Sequence, residues 1–377
     1  MTTTPRRLAL MLETDGPGGA EVIVFQLACE LRDRGHEITP VGIAGGSGWL
    51  RDKYRDAGFD PVHLPERRPP DWRLVGALAG TFRERRVELV HSHEFTFTWY
   101  GAWAAGRCGI PHVATLHGNQ TMTDAWRRRV ALRWAFRRSA SVVAVSDATR
   151  VQLLADLKLP PGAISVIHNG IPERPGDAEP VRRELGVREG ELLIIAVGNL
   201  DPRKGHIHLL EALAILEDAG LDVPWRVAIA GGRGGPERER LEAFAREHGW
   251  ADRVHILTQR DDIPNLQAAA DIFSMPSLWE GLPLAVLEAM LSGTVVLASE
   301  TSGIPEAIRE GEHGLLAAPG DSADLARQLG RLLREPELRE KLAAGALARA
   351  RREFTIHAMA GAYEEIYGAA LEGGSST

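Results

Sequence analysis

Glu280 and Glu288 stand eight positions apart in S-L-W-E-G-L-P-L-A-V-L-E-A-M, residues 277–290, and everything between them is apolar. Gly281 and Pro283 mark a helix start, because proline suits a first turn and glycine lets a ligand approach the backbone. The run 282–290 is rich in helix formers, and Leu284, Leu287 and Leu291 recur at the spacing of a core-facing stripe. Free amides and the macrodipole at a helix mouth favour an anion such as a diphosphate, which makes Gly281 and Leu282 candidate donor-binding positions, with Pro283, which has no N–H, counted beside them as the residue that sets the turn. Glu280 there could accept hydrogen bonds from sugar hydroxyls and Glu288 from a pair of ribose hydroxyls, each charge-assisted bond contributing about 1.5–3 kcal/mol. The same residues also suit a plain amphipathic helix, with Glu280 favouring its dipole and Glu288 simply solvated.

A cationic pair, Arg203 and Lys204, lies in G-N-L-D-P-R-K-G, residues 198–205, between the apolar run 192–197 and a helix expected over 208–217. That is a strand-end turn. A departing diphosphate needs two negative charges neutralised, and an arginine fork beside a lysine point charge does this. An ordinary polar turn would have the same composition.

These groups need elements to hold them. Residues 8–12 read as a buried strand, and E-T-D-G-P-G-G-A-E leads from it into a helix over 21–34. Gly18 and Gly19 permit close approach of a phosphate, but the spacing is not the G-x-G-x-x-G of a nicotinamide enzyme. Strands at 38–43, 61–64 and 87–91 alternate with helices at 50–57 and 74–86, and a second series begins at 192. Such alternation predicts parallel sheets covered by helices on both faces, with ligands at the carboxyl ends of the strands. Residues 172–180 read as a linker between domains at 1–173 and 181–355. An apolar-periodic helix from 356 closes the chain, and the G-G-S-S-T tail is expected to be disordered.

His91, His93, His112 and His117 sit at strand ends without a cysteine or carboxylate trio at ligand spacing, so no metal is expected. Along 126–138, Trp126, Val130 and Trp134 form one stripe crowded by Arg129, Arg133 and Arg137, while Leu132 and Phe136 lie elsewhere. Both a membrane-surface helix and a solvated, partly packed one fit that pattern.

With 377 residues, 44% hydrophobic and 25% charged, the chain can build two cores. A net charge of −7 implies no general nucleic-acid affinity. The first 175 residues nevertheless carry 23 Lys+Arg against 18 Asp+Glu, which leans that half toward an anionic surface or acceptor. Cys29 and Cys108 form no disulfide framework, and no apolar run suits a signal peptide or a span. A cytoplasmic protein, at most peripheral to a membrane, is expected.

The stretch 277–290 closely resembles the E-x7-E motif of the retaining family 4 glycosyltransferases, and the likeness runs over about 8–370. The resemblance implies a GT-B fold: two Rossmann-like, doubly wound parallel-sheet α/β domains facing a cleft, with the last helix crossing back to the first domain. G-G-A-E at 18–21 is similar to the family's N-terminal loop near the donor diphosphate, and T-L-H-G at 115–118 to the loop whose histidine, here His117, points at the donor sugar. S-D-A-T at 146–149 resembles a strand-end helix cap, and H-N-G-I at 168–171 the N-G-I-D of the domain junction, with Pro172 in place of its aspartate. In the diphosphate loop Lys204 matches the family lysine, whereas the arginine position is Asn199 and Arg203 is the candidate substitute. G-G-R-G-G at 231–235 resembles the glycine-rich strand end near the nucleotide, Gly231 leading it. R-D-D-I-P at 260–264, with Ile263, resembles the segment whose backbone reads the base.

The resemblance implies metal-independent transfer of a sugar from a nucleotide-diphosphate donor, UDP favoured over GDP-mannose, to a saccharide or lipid-linked acceptor of cell-envelope polysaccharide or glycolipid synthesis. In it Arg203 and Lys204 stabilise the leaving diphosphate, Glu280 positions the sugar, Glu288 grips the ribose and His117 bounds the sugar. No cofactor is expected, and the chain contains no D-x-D. Two alternatives stay open: a sugar-nucleotide epimerase of the same fold, and a non-catalytic sugar-nucleotide-binding protein.

Overall fold

The computed structural model describes residues 4–118, 122–232 and 235–373. The chain divides into two units: one runs to Pro172 and resumes at Thr355, and the other is Glu173–Phe354.

In the first unit the strands are β1 (Arg7–Leu12), β2 (Glu37–Ile43), β3 (Val62–Leu64), β4 (Leu89–His93), β5 (His112–Leu116), β6 (Ser141–Ala144) and β7 (Ser165–Val166). Their order is β3-β2-β1-β4-β5-β6-β7, and every pairing is parallel. Leu8 to Leu12 are all buried, as a strand covered on both faces requires. The helices are α1 (Gly19–Asp33), α2 (Trp49–Asp56), α3 (Trp72–Glu84), α4 (Glu94–Cys108), α5 (Trp126–Arg138) and α6 (Asp147–Leu157). Asp71 and Ser146 cap α3 and α6 by accepting from backbone amides two or three residues on. Helix α4 went unread in the sequence, and β4 ends at His93 rather than His91.

The second unit adds α7 (Ala178–Glu184), β8 (Leu192–Val197), α8 (His206–Asp218), β9 (Trp225–Ala230), α9 (Pro236–Glu247), β10 (Val254–Leu257) and α10 (Ile263–Ala269). It continues through β11 (Ile272–Met275), α11 (Leu284–Leu291), β12 (Val295–Ser299), α12 (Ile304–Ala307), β13 (Leu315–Ala317), α13 (Ser322–Arg334) and α14 (Pro336–Glu353). Its parallel sheet has the order β10-β9-β8-β11-β12-β13. The segment read as a linker is partly structured: Asp177 caps α7, and a Cβ on Gly176 would lie 2.0 Å from the Pro264 carbonyl oxygen.

Helix α15 (Ile356–Gly373) packs in the first unit. Ile356 N donates to Ile171 O at 3.0 Å where the chain returns, and a Cβ on Gly170 would meet the Thr355 carbonyl. The residues 374–377 of the expected disordered tail lie outside the described residues.

In each sheet the order reverses direction once, between β1 and β4 and between β8 and β11. The carboxyl ends beside such a reversal form the crevice where α/β sheets bind ligands.

Candidate active site

In the second unit, Gly198 follows β8 and the chain closes a 3-10 turn at Pro202–Lys204, whose N-cap Asp201 accepts from Arg203 N at 2.9 Å. Gly205 leaves the turn at φ 63°, and a Cβ there would lie 2.0 Å from the Pro276 carbonyl oxygen. Only glycine fits both demands. The turn is thereby locked to the residues after β11, and Leu278 N donates to Arg203 O at 2.8 Å.

This clamp brings Lys204 to Glu280. Lys204 Nζ lies 2.6 Å from Glu280 Oε1, and Ser277 Oγ donates to the same oxygen at 2.7 Å. Glu280 is 9% exposed. Arg203 is not brought to this pair. Its guanidinium pairs with Asp201 at 3.1 Å on the surface and holds the Asp201 carboxyl below its ordinary range. Asn199 is exposed, with its Oδ1 facing Gly232. Gly231 follows β9, where an added Cβ would sit 2.0 Å from the Gly198 carbonyl oxygen, so two strand ends meet backbone to backbone. Of the G-G-R-G-G stretch, Arg233 and Gly234 lie outside the described residues.

Helix α11 begins at Leu284 with Pro283 as its N-cap residue, so Glu280, Gly281 and Leu282 form a buried approach rather than the first turn. The core stripe is also shifted: Val286, Leu287 and Met290 are fully buried, whereas Leu284 is half-buried on the side of Glu288. Burial raises the Glu288 carboxyl to about 7, against the pull of Arg174. Ile263 is the first residue of α10 and packs against a small core with Leu266. Sequence reasoning passed over His206, which is 2% exposed below the Lys204 turn. Burial and then the Lys204 charge lower it to about 4; the Gly198 and Asn199 backbone pulls the other way without completing a hydrogen bond.

In the first unit, His117 Nε2 lies 2.9 Å from His93 Nδ1, and burial lowers His117 to about 4. With both rings neutral, the N–H of one donates to the bare nitrogen of the other across this contact. His91 and His112 are structural: His91 bonds Tyr367 and Thr115, and His112 bonds Ser92 and Ser139. Gly18 is the N-cap of α1, but the Glu21 side chain folds over it, so an added Cβ would lie 2.4 Å from Glu21 Oε2.

Two carboxylates that sequence reasoning missed stand at the reversal point. Glu13, just after β1, accepts from Thr96 N and Phe97 N at the head of α4. Glu94, just after β4, has φ 63°, a left-handed conformation rare outside glycine. Burial raises Glu13 to about 7; burial and then the Glu13 charge raise Glu94 to about 8. The basic excess of this half is therefore not at the ends of β1 and β4.

Residues 177–349 match the family described as glycosyl transferases group 1, and residues 17–174 match glycosyltransferase family 4. A 2-deoxystreptamine glucosyltransferase of Streptomyces kanamyceticus is 32% identical, over 78% of this chain and 82% of the relative. The chain belongs to the family 4 glycosyltransferases. A D-inositol 3-phosphate glycosyltransferase of Acidothermus cellulolyticus is 30% identical over 96% of this glycosyltransferase and 91% of its own length. Among solved structures, Anabaena HepE in complex with UDP and glucose matches with a TM-score of 0.82 at 24% identity, covering 96% of this chain and 98% of that one. The two parallel-sheet units are those of the GT-B fold.

The glycosyltransferase thus holds a lysine, a buried glutamate, a serine and two closely apposed glycine backbones at one sheet's reversal point. Such a set can neutralise a phosphate, accept from sugar hydroxyls and let a nucleotide lie against the backbone. Among the described residues no three His, Cys, Asp or Glu side chains are grouped to hold a metal ion.

Proposed function

We propose that this glycosyltransferase moves a sugar from a UDP-sugar to a hydroxyl of a polyhydroxylated acceptor, with retention of anomeric configuration and without a metal ion. The observation that carries the reading is the Lys204–Glu280 pair at 2.6 Å. A diphosphate beside Lys204 would sit next to a sugar hydrogen-bonded by Glu280. The donor's C1–O bond breaks and its electron pair leaves on the diphosphate, whose charge Lys204 balances. The acceptor oxygen bonds to C1 on the same face, and its proton passes to the departing diphosphate oxygen. Glu288 takes the ribose hydroxyls, and His117 is the first unit's candidate for the sugar. Arg203 would have to leave Asp201 to assist.

UDP is favoured because the HepE structure carries it. A polyhydroxylated ring as acceptor is supported by the relatives' names, inositol 3-phosphate and 2-deoxystreptamine. The test is UDP release from UDP-glucose with EDTA present, with and without candidate cyclitol and saccharide acceptors, followed by the anomeric configuration of the product. Glu280→Gln is expected to lower turnover about 10²–10³-fold, the effect of losing one preorganised electrostatic contact. Near wild-type turnover in both Glu280→Gln and Glu288→Gln would refute the assignment, and conversion of the donor to an epimeric UDP-sugar with no acceptor-dependent UDP release would favour the epimerase reading.

A further inference from the structure

Helix α5 presents two apolar faces. Leu132, Ala135 and Phe136 point inward; Leu132 and Phe136 pack in a core with Leu116, Val142 and Leu153. On the opposite side Trp126 is 65% exposed and Val130 57% exposed, and Trp134 continues their stripe. The stripe does not end with the helix. Trp134 stacks on Trp103 of α4 with ring centroids 4.2 Å apart, and Trp103 meets Trp72 at the head of α3 at 5.0 Å. Trp72 is itself 50% exposed. A run of packed tryptophans therefore crosses three helices of the first unit, exposed at Trp72 and half-buried at Trp103 and Trp134.

Arginine surrounds it. Helix α5 holds Arg127, Arg128, Arg129, Arg133, Arg137 and Arg138 and no acid. Arg127 lies over the Trp126 ring at 5.5 Å and Arg138 over the Trp134 ring at 5.3 Å. Of the six, only Arg128 has an ion-pair partner among the described residues, Asp124 at 3.5 Å. Five cations without a carboxylate around exposed tryptophans call for an anionic partner that also accepts apolar side chains.

A bilayer interface supplies both. Its phosphates match the guanidinium fork, and the amphipathic indole ring partitions to the headgroup level. A helix whose outer stripe is apolar and whose flanks are basic lies in the interface plane with that stripe immersed. We propose that the outer face of α5, with Trp72 and Trp103 beside it, docks this glycosyltransferase on an anionic lipid surface. Trp126 and Val130 enter the acyl boundary, and the arginines hold the headgroup phosphates. The face belongs to the first unit and the Lys204–Glu280 pair to the second, and the inference goes beyond the proposed reaction.

The test is co-sedimentation of the full chain with vesicles of phosphatidylcholine alone and of phosphatidylcholine mixed with phosphatidylglycerol. Binding is expected only to the anionic vesicles and is expected to weaken with added salt. Arg137→Glu with Arg138→Glu should lower the partition coefficient at least about tenfold, since each arginine near an anionic surface contributes a several-fold factor. Trp126→Ser with Val130→Ser should also weaken it, at unchanged melting temperature, because both side chains are exposed. A wild-type chain that stays in the supernatant, or that sediments equally with all variants, would overturn the proposal. Retention on polyglutamate but not on vesicles would overturn it too, and would assign the face to an acidic protein.

Discussion

Glu288 is a half-buried carboxyl on α11, raised to about 7 by burial, and in its proposed ribose-binding role it would give donor binding a pH dependence. If its ionised form takes the ribose hydroxyls, protonation competes with the donor, and the dissociation constant of UDP-glucose should rise about tenfold from about pH 8 to about pH 6. UDP-glucose is the right probe because its diphosphate has no ionisation in that range. Glu288→Gln should flatten the titration, and a flat wild-type profile would remove Glu288 from the ribose. Glu94 is perturbed in the same direction, from the ordinary 4.5 to about 8. A carboxyl that holds its proton more tightly when folded gives stability that is complete below about pH 4.5 and lost as pH rises through about 8. Glu94→Gln should therefore melt with wild type near pH 5 and above it near pH 9, by about 1–2 kcal/mol after allowance for solvent access. Equal melting at both ends would mean that Glu94 ionises freely. Its left-handed backbone costs on the order of 1–3 kcal/mol, a cost of the kind that collects at functional sites.

At the scale of elements, what could be read from sequence was whatever is local in the chain. The Glu280–Glu288 spacing and the P-R-K-G turn were legible because one turn and one helix hold them. Ser277 was within reach as well, three residues before the glutamate it bonds. Glu13 and Glu94 were not, because they meet only when β1 and β4 become neighbours across about eighty residues of chain. The stripe of α5 was legible but its direction was not, since periodicity marks two apolar faces without saying which one the sheet covers. Helices α4, α13 and α14 were not read at all. The glycines are similar: Gly231 looked permissive for a ligand, and the structure adds that its own chain already fills the space. A methyl there would meet the Gly198 carbonyl oxygen at 2.0 Å, so β8 and β9 would have to part at their carboxyl ends. Gly231→Ala is expected to destabilise the chain by about 1–3 kcal/mol, the usual range for overpacking, read as a lower midpoint in urea. UDP-glucose affinity should fall with it; an unchanged midpoint would show that the two strand ends yield freely.

At the scale of the molecule, the first unit is completed by the last helix in the chain. Helix α15 buries Met359, Ala360, Tyr363, Tyr367 and Ala370. It also adds partners for polar groups of the sheet and the end of α1: Tyr367 Oη to His91 at 2.7 Å, Tyr363 Oη to Thr115 at 3.1 Å, and Glu364 to both Arg34 and His36. Burying each large apolar side chain contributes about 1.5–3 kcal/mol, so three of them approach the whole stability of an ordinary domain, about 5–15 kcal/mol. Removing the helix would add the penalty of an unpaired His91 Nδ1, while His91 Nε2 and Thr115 would keep one another. A chain ended after Phe354 is therefore expected to lose amide-exchange protection throughout β1, β4 and β5, while β8, β9 and β11 keep theirs. Tyr367→Phe gives the graded version, since it keeps the ring and removes only the hydroxyl that meets His91; the cost should be about 1–3 kcal/mol. If β1, β4 and β5 stayed protected in the shortened chain, the sheet would be self-sufficient, and α15 would be an appendage rather than part of the fold that carries His117, Glu13 and Glu94.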